Sequence, residues 1–378
     1  MRTAIINKME NSENKGPERS HVEGDEEFER RPSTLPNIGA DLTGFSTRDF
    51  AEKVGAGVLG CLHNFGKVLN LKRLFKIIVA YDYRAALAGV DRGVETYRPL
   101  TATENGIAVG IAMTPAILHQ GEPRSVLVLN AAYMTALADF EDASTAELRD
   151  VALYTLAHEC GHVHDLDVQA TSLPNVLFNR RLGFRDEILF GIASGCWDEY
   201  IACRLSAFMG KESTLQWMEE TFCAAVERAK NRADAAIRQY RMHHDVQRVT
   251  DEASAEYKSV LVYWSYLLGH VDGLDRTPEE AAPKALETLE RYSYFTPFVE
   301  KTTAELRTMH ESYGKWPDLG IYDGLKKVAE DLLKFGGIEV EDRANGAGYV
   351  NFPFRPETIP SAAEQMVFLT NPGDAVTD

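Results

Sequence analysis

The distribution of apolar side chains along the chain predicts segments of different character. Residues 1–45 mix charge with Pro, Gly, Ser and Asn and have almost nothing to bury, so we predict that this acidic segment is disordered. Order is predicted to begin at Ser46 with a helix whose apolar residues recur at helical spacing, namely Phe50, Val54, Val58 and Leu62. The second half of the chain repeats this pattern and predicts helices at 214–244, 251–271, 278–291, 300–312 and 321–335.

Short apolar runs between these helices predict strands at 75–81, 106–113 and 125–129. We interpret them as a small antiparallel sheet with helices on one side, so the predicted fold class is α+β. If 126–129 lay at an open edge, its backbone could pair with an extended peptide. An internal strand without any role in substrate binding is an equally good interpretation. Two further strand-like pieces, 338–340 and 349–354, interrupt an irregular tail at 336–378.

Composition and charge narrow the class of protein. The chain has 378 residues with 44% hydrophobic and 26% charged side chains, as is usual for globular proteins. A net charge of −17 argues against a nucleic-acid partner, because phosphate binding needs a basic surface. No apolar run is long enough to span a bilayer, and the start lacks the apolar region of a secretory signal. Five scattered cysteines without a C-x-x-C pair argue against a disulfide framework, so we predict a reduced, cytoplasmic protein without membrane partners.

A helix predicted at 144–166 carries the most informative residues. Ser144 and Glu147 have the spacing of a capping box, which satisfies backbone N–H groups in the first turn. Apolar and small residues then follow at helical spacing and predict a largely buried helix. These residues are Leu148, Val151, Ala152, Leu153, Thr155, Leu156, Ala157 and Val163.

This helix contains the H-E-x-x-H motif His158-Glu159-Cys160-Gly161-His162. Four residues make just over one turn, so the two imidazoles project side by side and can share one metal ion. Glu159 lies beside them, where it can accept a proton from a metal-bound water. Gly161 lets another backbone or a substrate come close, and Cys160 is predicted to be an inert packing residue.

A catalytic zinc site needs a third protein ligand and an open position. The continuation of the metzincin motif is absent, since Asp165 and Val168 stand where its glycine and histidine would be. Asp165, Asp167 and His164 lie on or just past the same helix, so they are poor candidates for the same ion.

A carboxylate from a second helix, predicted at 194–210 with Ser194 as N-cap, is a better third ligand. Glu199 lies in an apolar environment there, where an unpaired carboxylate would be costly to bury. Asp198 is its main rival. Alternatively, Asp198 accepts a hydrogen bond from the non-ligating nitrogen of one histidine, a common arrangement around metals.

The motif at His158–His162, followed by Glu199, Ala202 and an apolar Leu205, resembles the gluzincin metallopeptidases of the ImmA/IrrE type. This resemblance covers residues 75–210. It implies a zincin-like core, one bound Zn²⁺ and endopeptidase activity, in a family whose members cleave intracellular regulatory proteins such as repressors. We therefore expect a disordered segment at 1–45, a catalytic core at 46–212, a helical region at 213–335 that completes the catalytic domain, and the tail.

The predicted function is hydrolysis of peptide bonds in an intracellular protein through a metal-activated water. His158, His162 and Glu199 would hold the zinc ion, and Glu159 would carry the proton from water to the leaving amine. The donor that stabilises the oxyanion remains open among Tyr200, His164, Tyr263 and His270. The alternative function is a non-catalytic, helical partner-binding protein with a structural or vestigial metal site.

Overall fold

The structure is a computed structural model that describes residues 31–366, apart from 96–98, 103–105, 108–109, 175–177, 179–180, 345 and 363. These residues fall into two compact units. The first consists of the described part of residues 1–179 together with 201–211 and 272–275, and the second of the other described residues. This division differs from the predicted boundary at residue 212, because residues 180–200 group with the helices that follow.

The first unit is built on one sheet with helices around it. Its strands are β1 (Ala40–Thr43), β2 (Leu74–Ala80), β3 (Ala112–Met113), β4 (Ala116–His119) and β5 (Glu122–Asn130). Its helices are α1 (Arg48–Phe65), α2 (Tyr83–Ala88), α3 (Ala131–Met134) and α4 (Ala146–Ser172). The strand β1 pairs with β2 inside the segment predicted to be disordered, so that prediction is wrong for 40–43; residues 1–30 lie outside the described part.

The sheet is mixed, and the prediction of an antiparallel sheet is wrong. Its order is β1-β2-β5-β3, with β4 also on β5; β1, β2 and β5 run parallel, whereas β3 and β4 are antiparallel to β5. The parallel pairs follow from their connections, since α1 and the long segment containing α2 return the chain to the same end. A tight turn at Gln120–Gly121, with φ of 52° and 82°, instead reverses the chain between β4 and β5.

Both faces of the sheet are covered, rather than the one face that was predicted. On β5, Leu127 and Leu129 pack into the core formed with α1 and α4. Val126 and Val128 face the opposite side, where Tyr83 and other residues of α2 cover them. This alternation explains why the strand appears as an unbroken apolar run. Because β5 is paired on both sides, 126–129 is internal and does not offer an open edge.

Helix α4 confirms the helix predicted around the H-E-x-x-H motif, although its start differs. A 3₁₀ turn at Ala143–Thr145 precedes it, and the Asp142 carboxylate accepts hydrogen bonds from both the backbone N–H and the hydroxyl of Ser144. The predicted capping box is therefore wrong, because Asp142 engages the Ser144 hydroxyl. The predicted apolar flanks of the motif are buried, whereas Val151 is 45% exposed.

Helix α5 (Phe184–Ser206) begins ten residues before the predicted start. Ser194 is an interior residue, so its assignment as N-cap is wrong. The earlier start follows from buried apolar residues at helical spacing before Ser194, which are Leu189, Phe190, Ile192 and Ala193. Within α5, residues 201–206 belong to the first unit and residues 184–200 belong to the second.

The second unit confirms the mainly helical C-terminal region. Its helices are α6 (Glu212–His243), α7 (Val246–Gly273), α8 (Pro278–Ala281), α9 (Pro283–Arg291), α10 (Thr296–Glu311) and α11 (Asp323–Phe335). The predicted helix at 278–291 is split because Pro283 cannot donate a backbone hydrogen bond. A hairpin of β6 (Glu339–Asp342) and β7 (Gly348–Asn351) follows. Across the described residues, none of the helices has the length and hydropathy needed to cross a membrane.

Candidate metal centre

The two histidines of the motif converge on one side of α4. Their Nε2 atoms lie 3.1 Å apart, and the two rings are almost perpendicular, with centroids 4.8 Å apart. Two nitrogens bound to one tetrahedral zinc at ordinary bond lengths would be about 3.4 Å apart. The spacing of His158 and His162 therefore fits a shared metal ion with little movement.

Glu199 provides the third potential ligand. One ligand atom from each of His158, His162 and Glu199 lies within 4.8 Å of the others, and the group could hold a metal ion. His158 is buried, whereas His162 and Glu199 are half-buried, so a bound ion would be reachable from one side. Two imidazoles and a carboxylate suit Zn²⁺, and imidazole also suits other first-row transition ions.

The end of α5 packs closely on α4 within the first unit. A Cβ atom added to Gly161 would lie 2.9 Å from Cα and 3.0 Å from the carbonyl oxygen of Ala202. Ala202 is three residues after Glu199 on α5. The prediction that Gly161 permits a close backbone approach is confirmed.

Substituting Gly161 with alanine is expected to lower the free energy of unfolding by about 1–3 kcal/mol, the usual cost of overpacking. Alanine has the higher helix propensity, but the added methyl group meets backbone atoms that cannot rotate away. Denaturant unfolding measures the effect. Gly60→Ala on α1 is the matched control, since no atom lies within 4 Å of its new Cβ, and it should be neutral or stabilising. Equal stability of the two variants would contradict the tight approach.

The side chain of Glu159 is held by a residue that the sequence did not single out. Thr114 follows β3, and its hydroxyl donates a hydrogen bond of 2.6 Å to a carboxylate oxygen of Glu159. Glu159 is only 6% exposed, and a buried carboxylate needs hydrogen-bond donors. The hydroxyl of Thr114 is one of these donors. Position 114 could have been recognised only as a polar residue between an apolar run and a proline.

Tyr83 is a second residue that the sequence did not indicate. Burial, assisted by the negative charge of Glu159, raises the pKa of its hydroxyl, so the group stays protonated at neutral pH. Its hydroxyl has no hydrogen-bond partner among the described residues. A neutral donor therefore lies within electrostatic range of the buried carboxylate.

Other residues predicted for the site are engaged elsewhere. His164 accepts a hydrogen bond of 2.9 Å from the backbone of Asn70 through Nδ1, and two residues along a helix is about 200° from His162. Tyr200 is fully buried with its ring against Trp197 and His310. These positions favour packing roles for His164 and Tyr200 over donation to an oxyanion.

The remaining residues predicted for the site also lie outside the group that could hold a metal. Asp165 accepts a hydrogen bond of 2.6 Å from Gln169, and Asp167 pairs with Arg73 at 2.8 Å, so both carboxylates support packing of the first unit. Asp198 is half-buried on α5 and is not part of the group that could hold a metal. Tyr263 and His270 are buried in α7.

Comparisons with protein-family models, with curated proteins and with solved structures found no match to this chain.

Proposed function

We propose that this chain is a zinc-dependent endopeptidase with a zincin-like core, acting on an intracellular regulatory protein. The observation that carries the proposal is the convergence of His158, His162 and Glu199 within 4.8 Å, with the two histidines on the helix that also presents Glu159. A purely structural zinc site is normally closed by four protein ligands. It performs no chemistry, so a buried carboxylate next to the ligands would have no role in it. Three ligands from the described residues would leave a fourth position for water, and this position and the carboxylate together favour hydrolysis.

Each residue has a separate role in this proposal. His158, His162 and Glu199 would hold a zinc ion, which would supply Lewis acidity and lower the pKa of water toward neutrality. Glu159 accepts the proton of the attacking water and delivers it to the leaving amine. Thr114 holds the carboxylate of Glu159 through its hydroxyl, so that one oxygen keeps a defined direction.

The nearby sheet edge supports a peptide substrate. Strands β3 and β4 lie along the same side of β5, with Thr114 and Pro115 between them. Among the described strands, none pairs with the outer side of β3, whereas Leu118 on β4 donates a backbone hydrogen bond to the carbonyl of Arg92. An extended peptide laid along this edge would gain backbone hydrogen bonds, and Thr114 would bring it next to Glu159. The edge suited to a peptide is thus β3, in place of the segment 126–129.

The test combines metal analysis with a peptidase assay. The purified full chain, loaded with one equivalent of zinc, is incubated with unfolded casein and with a mixed-sequence peptide library, and new termini are identified by mass spectrometry. We expect cleavage that 1,10-phenanthroline stops and that zinc restores. One tightly bound metal per chain with no cleavage in either substrate pool would favour the non-catalytic, partner-binding alternative.

Replacing Thr114 with valine is expected to lower kcat about tenfold or more, since a hydrogen bond to a charged group contributes about 1.5–3 kcal/mol. KM should change little, because the lost contact orients Glu159 and binds no substrate. Thr114→Ser retains the hydroxyl and is the matched control, with activity close to that of the native chain. Equal kcat for the valine and serine variants would show that the hydrogen bond has no role.

A further inference from the structure

A thiol lies behind the first histidine of the motif. The Sγ atom of Cys203 is 3.6 Å from Nδ1 of His158, the ring nitrogen that does not face His162. Cys203 is fully buried, four residues after Glu199 on α5. Residues four apart share one face of a helix, so the face of α5 that carries the carboxylate also carries this thiol.

A tyrosine approaches the same sulfur atom from the preceding turn of α4. The hydroxyl of Tyr154 donates a hydrogen bond to Sγ of Cys203 at 3.8 Å. Tyr154, His158 and His162 are spaced by four residues, so they form one row along α4. The sulfur atom of Cys203 therefore contacts both the hydroxyl of Tyr154 and the imidazole of His158.

The arrangement has a consequence for the tautomer of His158. A neutral imidazole carries one N–H and one lone pair, and the nitrogen that binds a metal must present the lone pair. The Nε2 atom of His158 is the one that faces His162, so metal binding requires the proton on Nδ1. That proton then points at a sulfur atom, which can accept it as a weak hydrogen bond.

We propose that Cys203 is a positioning residue for the metal centre, accepting the Nδ1–H of His158 and thereby holding Nε2 toward the ion. This inference rests on the proposed metal site and extends it to the residue that orients one ligand. Cys203 is not itself a ligand of that ion, because it lies at the other nitrogen of the ring. The partners that orient ligand histidines are usually carboxylates, carbonyls or water, and here a thiol takes that position.

The experiment measures zinc affinity by competition with a chromophoric chelator on the full-length chain. Cys203→Ala removes the acceptor, and we expect zinc binding to weaken about 10- to 100-fold, as for other partners of ligand histidines. Cys203→Ser keeps an acceptor in nearly the same volume and should bind zinc close to the native affinity. Cys196→Ala is the matched control, since Cys196 is an equally buried cysteine on α5, two turns earlier, and its removal should leave the affinity unchanged.

The outcomes separate this inference from the proposed function. A native chain that binds no zinc would refute the metal site itself. Native affinity in Cys203→Ala would overturn the role of Cys203 and leave the metal site standing. Equal weakening in the alanine and serine variants would also overturn it, because a packing effect would then account for both.

A second measurement decides the question if Cys203→Ala does not fold. In the zinc-loaded native chain, the Nδ1–H proton of His158 should give a slowly exchanging resonance, since it is buried and bonded to sulfur. The same proton in Cys203→Ser should remain visible at a shifted frequency, because oxygen replaces sulfur as its acceptor. An identical frequency in both proteins would show that the side chain at position 203 does not receive this proton.

Discussion

Glu159→Gln is expected to abolish peptide hydrolysis while leaving the metal content unchanged. Glutamine has nearly the same shape as glutamate and can still accept the hydrogen bond from Thr114. It cannot take a proton from water, and general-base catalysis typically contributes about 10²- to 10⁴-fold. The fall in kcat should therefore be at least about a hundredfold, measured on a peptide identified by its new termini.

The control for this variant is Glu147→Gln, which makes the same chemical change on the same helix. Glu147 is exposed in the first turn of α4, so the substitution should leave both activity and metal content at the native level. Full activity of Glu159→Gln would refute the proposed mechanism even if zinc were bound. Loss of zinc together with activity would instead place Glu159 among the groups that maintain the metal site.

Zinc analysis of His162→Ala and Glu199→Ala is expected to show loss of the metal in both variants. Each substitution removes one of three ligand atoms that lie within 4.8 Å of one another. Loss of a group that only orients a ligand weakens metal binding by up to about 100-fold. Removing a direct ligand should weaken zinc binding by more than this. The measurement is zinc per chain by elemental analysis after dialysis, with affinity from chelator competition.

Asp198→Asn is the control that tests the choice of carboxylate. Asp198 neighbours Glu199 and is also half-buried, so the two substitutions perturb the same turn of α5. We expect Asp198→Asn to retain one zinc per chain. Retention in Glu199→Ala together with loss in Asp198→Asn would move the third ligand to Asp198, and the assignment of Glu199 would be wrong.

Part of the candidate site could be predicted from local spacing. The pair His158 and His162 shares one helical face whenever the segment is helical, and the apolar flanks made that helix predictable. The choice of Glu199 also depended on local information, since a carboxylate among apolar residues needs a partner. The geometry of the described residues groups all three.

Other residues could not be found in this way, because their contacts join distant parts of the chain. Thr114 meets Glu159 across 45 positions, and Cys203 meets His158 across another 45. A threonine after a short strand and a buried cysteine on a helix look ordinary in sequence. Only their neighbours in space give them a role.

The prediction of an antiparallel sheet was wrong for a related reason. Strand positions follow from local apolar runs, and the strands at 75–81 and 125–129 were found within a few residues. Strand direction depends instead on how each connection returns to the sheet, and β1 lay in a segment without any periodic signal. The position of β5 inside the sheet similarly depended on partners far away in sequence.

Periodicity and motif spacing act over one or two turns, and they were enough to predict the α+β class, the helical C-terminal region and the helix that presents His158, Glu159 and His162. The mixed order of the sheet, the hydrogen bond from Thr114 and the thiol behind His158 are seen only in the folded chain. These features depend on the packing of segments far apart in the chain. The contact of Gly161 with Ala202 illustrates this, because the glycine indicates that a backbone can come close but not which segment does so.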